Sequence, residues 1–177
     1  MILALHSRAL CADIRTVTDA AVVPTAAPVD NEAVVIRLGD GRFAAQLDAV
    51  AEVGRVPSVT RIPGAPGWLA GVANWRGRLL PVLDLRPLLG APDTRLGNAA
   101  RLLVLSLDGM SAGIVVDAVE GTGVLDSAVE EFPAALADRG SFLLAGQVPS
   151  PEGPIAVLDT AAVLRLREQL PRARRAC

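Results

Sequence analysis

The side chains best suited to acid–base chemistry in this sequence are the carboxylates of Asp84 and Asp159, which occupy matching places in two similar segments. Paired carboxylates can act as a general acid and a general base. Each of these, however, follows an apolar run and precedes a helical pattern, which is also where a helix-capping residue belongs. We therefore interpret both as helix caps rather than as a catalytic pair.

The sequence has few residues that could serve other kinds of catalysis or bind a metal. His6 is the single histidine, so a Ser-His-Asp or Cys-His arrangement has no base within the body of the chain. Cys11 and Cys177 lie at opposite ends of the sequence, unlike the clustered ligands that zinc requires. All 17 basic residues are Arg, which excludes a Schiff-base or P-loop lysine. We predict a protein without enzymatic activity, metal or cofactor.

The composition is that of a folded protein without a strong charge preference. Hydrophobic residues make up 51% of the 177 positions, and the formal net charge is −2. Aromatic residues make up only 3%, too few for the stacking platforms of barrels that bind single-stranded nucleic acid. The sequence also has neither a secretory apolar region nor an apolar run of roughly 18 residues. We predict a cytoplasmic protein that binds no nucleic acid and does not insert into a membrane.

From residue 33 the sequence consists of short apolar segments separated by turns, a texture typical of a β-barrel or sandwich. Asp40-Gly41 and Asp108-Gly109 are hairpin signals, because Asp-Gly readily supplies the positive φ of a tight turn. A helix is expected between Asp159, a good N-cap, and Pro171, and a shorter helical turn at 85–89. Nine strands are predicted, at 34–38, 43–47, 50–53, 69–75, 79–83, 101–107, 112–116, 143–148 and 155–158.

The chain contains an internal repeat. Three tripeptides occur twice in related positions: Asp48-Ala49-Val50 and Asp117-Ala118-Val119, Leu69-Ala70-Gly71 and Leu144-Ala145-Gly146, Val82-Leu83-Asp84 and Val157-Leu158-Asp159. Two similar β units, each too small for a good core alone, are thus expected to pack against each other. We expect the chain to cross between the units near 85–101 and again near the C-terminal helix, which packs on the first unit.

A distinctive segment runs from Ile62 to Arg86. It consists of a Pro-Gly loop, an apolar strand, a tight turn at 74–77 and a second apolar strand. The tip of such a hairpin holds Arg76 on a rigid mount, where a guanidinium can recognise a carboxylate or backbone carbonyls of a partner. From these residues alone, an ordinary exposed turn arginine is an equally good interpretation.

The order P-x-x-P-x-W-L-x-G-V-x-N-x-R-G-x-x-x-P-V-x-D-L-R in residues 63–86 resembles the signature of CheW-like domains. Trp75 departs from it, since the family usually has Leu there. The resemblance covers residues 33–170 and implies a mainly β fold: two tandem SH3-like five-stranded β-barrels packed on a shared core, with a C-terminal helix. Residues 1–32 would then be a flexible N-terminal extension, and residues 171–177 a basic C-terminal tail.

CheW-like proteins couple chemoreceptors to the CheA histidine kinase, so the resemblance implies a non-catalytic adaptor recruited to membrane receptor arrays. Its expected partners are the regulatory domain of a CheA-type kinase and the signalling tip of a methyl-accepting chemoreceptor. The receptor tip docks along a groove between the barrels, where the matching positions are Val50, Glu52, Gly71 and Arg76. The kinase contact lies on the far face of the first barrel, without assigned residues. The alternative is a CheW-like interaction module for protein localisation or for a non-chemotaxis kinase array.

We predict that residues 1–32 are dispensable for folding, because they lack a regular apolar pattern and precede the resemblance. A chain that starts at Asn31 should therefore melt close to the temperature of the full chain, as measured by circular dichroism. A large drop in melting temperature would show instead that the extension packs on the core, for example by covering an edge strand.

Overall fold

The computed structural model describes residues 32–92, 96–125, 129–131 and 140–169. Residues 1–31 and 171–177 lie outside these ranges, and Glu32, the last residue of the predicted extension, begins the first strand. None of the helices in the described part of the chain is long and apolar enough to cross a membrane.

About half of the described residues lie in ten β-strands. All nine predicted strands are present, and those at 69–75, 101–107 and 155–158 have the predicted bounds. The strands are β1 Glu32–Leu38, β2 Gly41–Gln46, β3 Val50–Arg55, β4 Leu69–Trp75, β5 Arg78–Leu83, β6 Arg101–Leu107, β7 Met110–Val116, β8 Ala118–Val124, β9 Leu144–Val148 and β10 Ile155–Leu158. The prediction missed β8.

The strands form two five-stranded antiparallel-rich units of identical connectivity. Barrel A has the strand order β8-β1-β2-β10-β9, and barrel B has the order β3-β6-β7-β5-β4. Replacing each strand of barrel A by the one five positions away in the chain gives the order of barrel B. The predicted fold class, two SH3-like five-stranded barrels, is confirmed.

The predicted crossing at 85–101 was wrong. The short helix α1, Arg86–Leu89, joins β5 to β6, and both strands belong to barrel B. The chain passes between barrels at the 3-10 helix Leu47–Ala49 and at Asp117, between β7 and β8. Each barrel therefore combines two strands from one sequence repeat with three strands from the other. Within each barrel, one parallel pairing joins the two repeats: β5 with β7 in barrel B, and β10 with β2 in barrel A.

The register shows that the repeat is structural. Val50 pairs with Leu105 in barrel B, and the following residue forms a bulge. Val119 pairs with Ile36 in barrel A, and the following residue forms the same bulge. The bulged residues are Ala51 and Glu120, respectively.

Gly71 and Gly146 are equivalent positions at which another chain segment comes very close. Gly71 has a φ of 147°, and Gly146 has a φ of 157°. A Cβ atom would lie 2.2 Å from the Thr60 carbonyl oxygen at Gly71, and 2.4 Å from the Glu130 carbonyl oxygen at Gly146. Both glycines therefore allow a backbone bridge beside them, Thr60 with Val72 and Glu130 with Gln147.

The strands shared by two cores are apolar on both faces. Leu103 and Leu105 of β6 point into the seam between the barrels, whereas Leu102 and Val104 point into the interior of barrel B. A strand alternates its side chains between faces, so burial of both faces gives the nearly continuous apolar run of β6. The seam is the predicted shared core.

The C-terminal helix α2, Thr160–Arg165, closes the seam. The Asp159 side chain accepts a hydrogen bond from the Ala162 backbone N–H, which confirms it as the N-cap. Val163 and Leu164 are fully buried, and the helix contacts β6 and β7. The chain leaves barrel A at β10, and α2 packs on barrel B, which confirms the predicted second crossing. The expectation that the helix packs on the first unit was wrong, because β6 and β7 belong to the second sequence repeat.

Replacing Gly71 with Ala should destabilise the protein by about 1–3 kcal/mol, because the new methyl group collides with backbone rather than with a movable side chain. Gly146→Ala should have a similar effect. The measurement is the free energy of unfolding in urea. Gly67→Ala is the matched control, since a Cβ atom there meets no atom within 4 Å; equal stability of all three variants would disprove the close approach.

Candidate functional site

The β4–β5 turn holds Arg76 at the surface. Trp75 pairs with Arg78 across the hairpin, so Arg76 and Gly77 alone form the turn. Their φ angles of 50° and 81° are both positive, as a type I′ turn requires. The Asn74 side-chain oxygen accepts a hydrogen bond of 2.9 Å from the Gly77 backbone N–H. The mount is therefore rigid, while the Arg76 side chain stays 75% exposed.

Glu52 joins this hairpin to strand β3. Its Oε2 atom lies 2.8 Å from Arg76 Nε and accepts a hydrogen bond of 2.9 Å from Trp75 Nε1. The Trp75 ring lies over Gly54, where a Cβ atom would come within 2.4 Å of the ring. Because β3 and β4 are the two edge strands of the five-stranded sheet, these contacts close it into a barrel.

The structure thus brings two of the four predicted receptor-binding residues together. Glu52 and Arg76 form an ion pair at the surface. Val50 is half-buried and packs against the seam, and Gly71 is buried beside Thr60. These two residues lie behind the surface formed by Glu52 and Arg76. Neither has a polar side-chain group that could contact a partner.

Sequence reasoning marked Trp75 only as a departure from the family pattern and missed its role. The indole N–H and the ring both contact β3. The available signal was Gly54, a glycine within a strand, which often marks a close approach by another group.

A cavity of about 400 Å³ opens beside the Glu52–Arg76 pair. Its walls include Trp75 from the hairpin and Ala51 from the bulge of β3, and its polar groups include Arg78 and two serines, Ser106 and Ser111. The recess is therefore partly polar and lies next to the exposed guanidinium of Arg76.

A second polar cluster lies where the two barrels meet. The guanidinium of Arg86, which is only 4% exposed, donates to both carboxylate oxygens of Asp84, at 2.9 and 2.6 Å. It also lies 3.6 Å from Asp117, whose other oxygen accepts a hydrogen bond of 2.7 Å from the Gly39 backbone N–H. Arg86 of barrel B is thereby linked to the first hairpin of barrel A. Asp84 and Arg86 also line a cleft of about 620 Å³.

The carboxylates considered for catalysis have structural partners. Asp84 binds Arg86, and Asp159 caps α2. They are not paired with each other by any contact among the described residues. That same part of the chain contains no group of three or more His, Cys, Asp or Glu that could hold a metal ion.

Comparison with known proteins decides the family. The sequence model of the CheW-like domain matches residues 32–168, which includes both barrels and α2. The chain belongs to the CheW-like domain family. The matched range is almost the same as the range of 33–170 that the signature led us to expect.

This CheW-like protein is similar in sequence to several known proteins. Protein PilI of Pseudomonas aeruginosa is 40% identical over 109 residues, which cover 60% of this chain and 61% of PilI. Protein FrzA of Myxococcus xanthus is 37% identical over 103 residues, covering 58% of this chain and 64% of FrzA. The chain thus spans less than two thirds of the length of both. Chemotaxis protein CheW of Bacillus subtilis is 25% identical over 136 residues, 76% of this chain and 87% of that protein.

A solved structure shares the fold. The crystal structure of the scaffolding protein TtCheW from Thermoanaerobacter tengcongensis superposes with a TM-score of 0.67 at 25% sequence identity. The match covers 76% of this chain and 88% of that chain. Family and fold therefore agree that residues 32–168 form a CheW-like domain.

Replacing Arg86 with Ala should destabilise this CheW-like domain by about 3 kcal/mol or more, because it leaves the carboxylate of Asp84 half-buried without its cation. A urea or thermal unfolding curve measures the effect. Arg55→Ala is the control, since Arg55 is exposed on β3. Two equally stable variants would show that the cluster contributes nothing to holding the barrels together.

Proposed function

We propose that this protein is a non-catalytic adaptor that couples the signalling tip of a chemoreceptor to the regulatory domain of a CheA-type histidine kinase. The observation that best supports this proposal is the rigid β4–β5 hairpin. It presents Arg76 to solvent, fixed to Glu52, within the segment that bears the family signature. A prearranged cation loses little conformational freedom on binding, which favours recognition of a partner.

The receptor surface in this proposal comprises Val50, Glu52, Gly71 and Arg76. Glu52 and Arg76 supply the polar contacts. Val50 sets the position of β3 against the seam, and Gly71 lets the hairpin lie close to Thr60. A receptor's helical tip would lie along the groove beside these residues.

The kinase contact is proposed on another face of the molecule, so that both partners bind at once. An adaptor of this kind acts in the cytoplasm and is recruited to membrane receptor arrays through the receptor tip. It needs no cofactor and no reaction, only two non-overlapping surfaces held in fixed relation by the shared core.

Replacing Arg76 with Ala should separate folding from binding. Stability should change by about 0.5 kcal/mol or less, because an ion pair this exposed contributes little. Affinity for a receptor signalling tip should fall about 30-fold, corresponding to the roughly 2 kcal/mol of an interface arginine. Glu52→Arg should also weaken receptor binding, whereas affinity for the kinase regulatory domain should survive both changes.

The measurements are thermal melting and calorimetric titration with each partner. Unfolding of Arg76→Ala would make the residue structural. Normal receptor binding by a folded Arg76→Ala protein would exclude this surface. If the unaltered protein binds the kinase domain but no receptor tip, it would instead be an interaction module for localisation or for another kinase array.

A further inference from the structure

The two barrels carry different side chains at equivalent sites on their surfaces. In barrel A, Arg37 and Arg42 face each other across β1 and β2, one pair before the hairpin turn. In barrel B, Ser106 and Ser111 occupy the same place across β6 and β7. The neighbouring bulge holds Glu120 in barrel A and Ala51 in barrel B. The same fold thus carries charged side chains at one site and short ones at the other.

Barrel A fills its site with internal ion pairs. One oxygen of Glu120 lies 2.5 Å from the Arg37 guanidinium, and the other accepts a hydrogen bond of 2.8 Å from Arg42. Arg42 also reaches Glu152 at 3.1 Å and Ser150 at 3.3 Å. The hydrogen bond from Arg37 lowers the pKa of the Glu120 carboxyl. Two cations and two carboxylates balance.

Barrel B leaves the equivalent site open. The cavity of about 400 Å³ is lined by Ala51, Ser106 and Ser111, the counterparts of Glu120, Arg37 and Arg42. Trp75 forms one wall of the cavity. It is the counterpart of Ser150, because Trp75 follows Gly71 by four residues and Ser150 follows the equivalent Gly146 by four residues. The short side chains create the space that ion pairs occupy in barrel A.

The charges around the open site do not balance. Arg76 and Arg78 lie at the cavity with one carboxylate, Glu52, which already binds Arg76 and Trp75. Arg78 has no ion pair among the residues that the structure describes. The site in barrel B has one carboxylate fewer than the site in barrel A. The difference lies at the bulge, where barrel A has Glu120 and barrel B has Ala51.

We propose that this cavity receives a carboxylate side chain, Glu or Asp, from the helical tip of the protein partner. The inference rests on the proposed function and specifies the chemistry of its contact. Arg78 pairs with the incoming carboxylate. Ser111 donates to Ser106 at 3.2 Å, which leaves the Ser106 hydroxyl hydrogen to donate to the same carboxylate. Trp75 packs against the methylene groups of the entering side chain.

The test transplants the ion pair of barrel A into barrel B. In the variant Ala51→Glu with Ser111→Arg, the chain fills its own cavity. Affinity for the helical-hairpin signalling tip of a chemoreceptor from the same organism, measured by calorimetry, should fall about tenfold or more. The matched control is Glu120→Ala with Arg42→Ser, which opens the site in barrel A and should leave the affinity unchanged.

Arg78→Gln tests the carboxylate itself without altering the core, because Arg78 is exposed. Affinity should fall about tenfold, with a weaker dependence on salt. One Glu→Gln or Asp→Asn change in the receptor tip should weaken binding to the unaltered adaptor but not to Arg78→Gln. The proposal is overturned if the filled, folded variant binds normally, or if no acidic residue of the tip is coupled to Arg78. Absence of binding by the unaltered protein would overturn the proposed function instead.

Discussion

Strand pairings between the two sequence repeats hold the whole molecule together: β1 pairs with β8, β3 pairs with β6, and two short parallel pairings add to these. Val82 and Leu83 of β5 pair with β7, and Ala156 and Val157 of β10 pair with β2. Each pairing joins a strand of one sequence repeat to a hairpin of the other. Each repeat contributes at most three strands to either sheet, so a repeat by itself would leave strand edges unpaired and apolar surface exposed. The exchange thus makes two barrels into one cooperative unit.

A binding surface on such a unit inherits its rigidity. The seam packs both barrels against α2, and the buried Arg86 links Asp84 in barrel B with Asp117 at the crossing into barrel A. The β4–β5 hairpin is fixed to β3 through Glu52 and Trp75. Arg76 is therefore held in place by contacts that extend to the core, although its own side chain is exposed. This rigidity suits the proposed adaptor, which would hold two partners in a fixed geometry.

The sequence allowed much of the fold to be predicted, because alternation and turn chemistry are local. Strands with buried apolar side chains were recognised, and Asp159 was recognised as the cap of α2. Strand β8 was missed because residues 120–124 are exposed and include two glycines, so no alternation marks them. It is a strand because it pairs with β1. The first crossing was misplaced because a repeat shows which segments are alike, not which of them pair.

The site was less accessible to sequence reasoning. The family signature placed Arg76 and Glu52 on one surface, but the contact between β3 and Trp75 joins residues 23 apart and leaves no periodic signal. The open cavity of barrel B is visible only by comparison with barrel A, since serine and alanine are unremarkable residues in strands. The difference between the two repeats, rather than any single motif, marks the site that we propose binds a partner.

In the proposed function, one surface of the protein binds a receptor while another surface binds a kinase. Light scattering coupled to size-exclusion chromatography, on a mixture of this protein with a receptor signalling tip and a CheA-type regulatory domain, tests it directly. We expect one species whose mass is the sum of all three components. Two binary complexes, with each partner displacing the other from the adaptor, would contradict it.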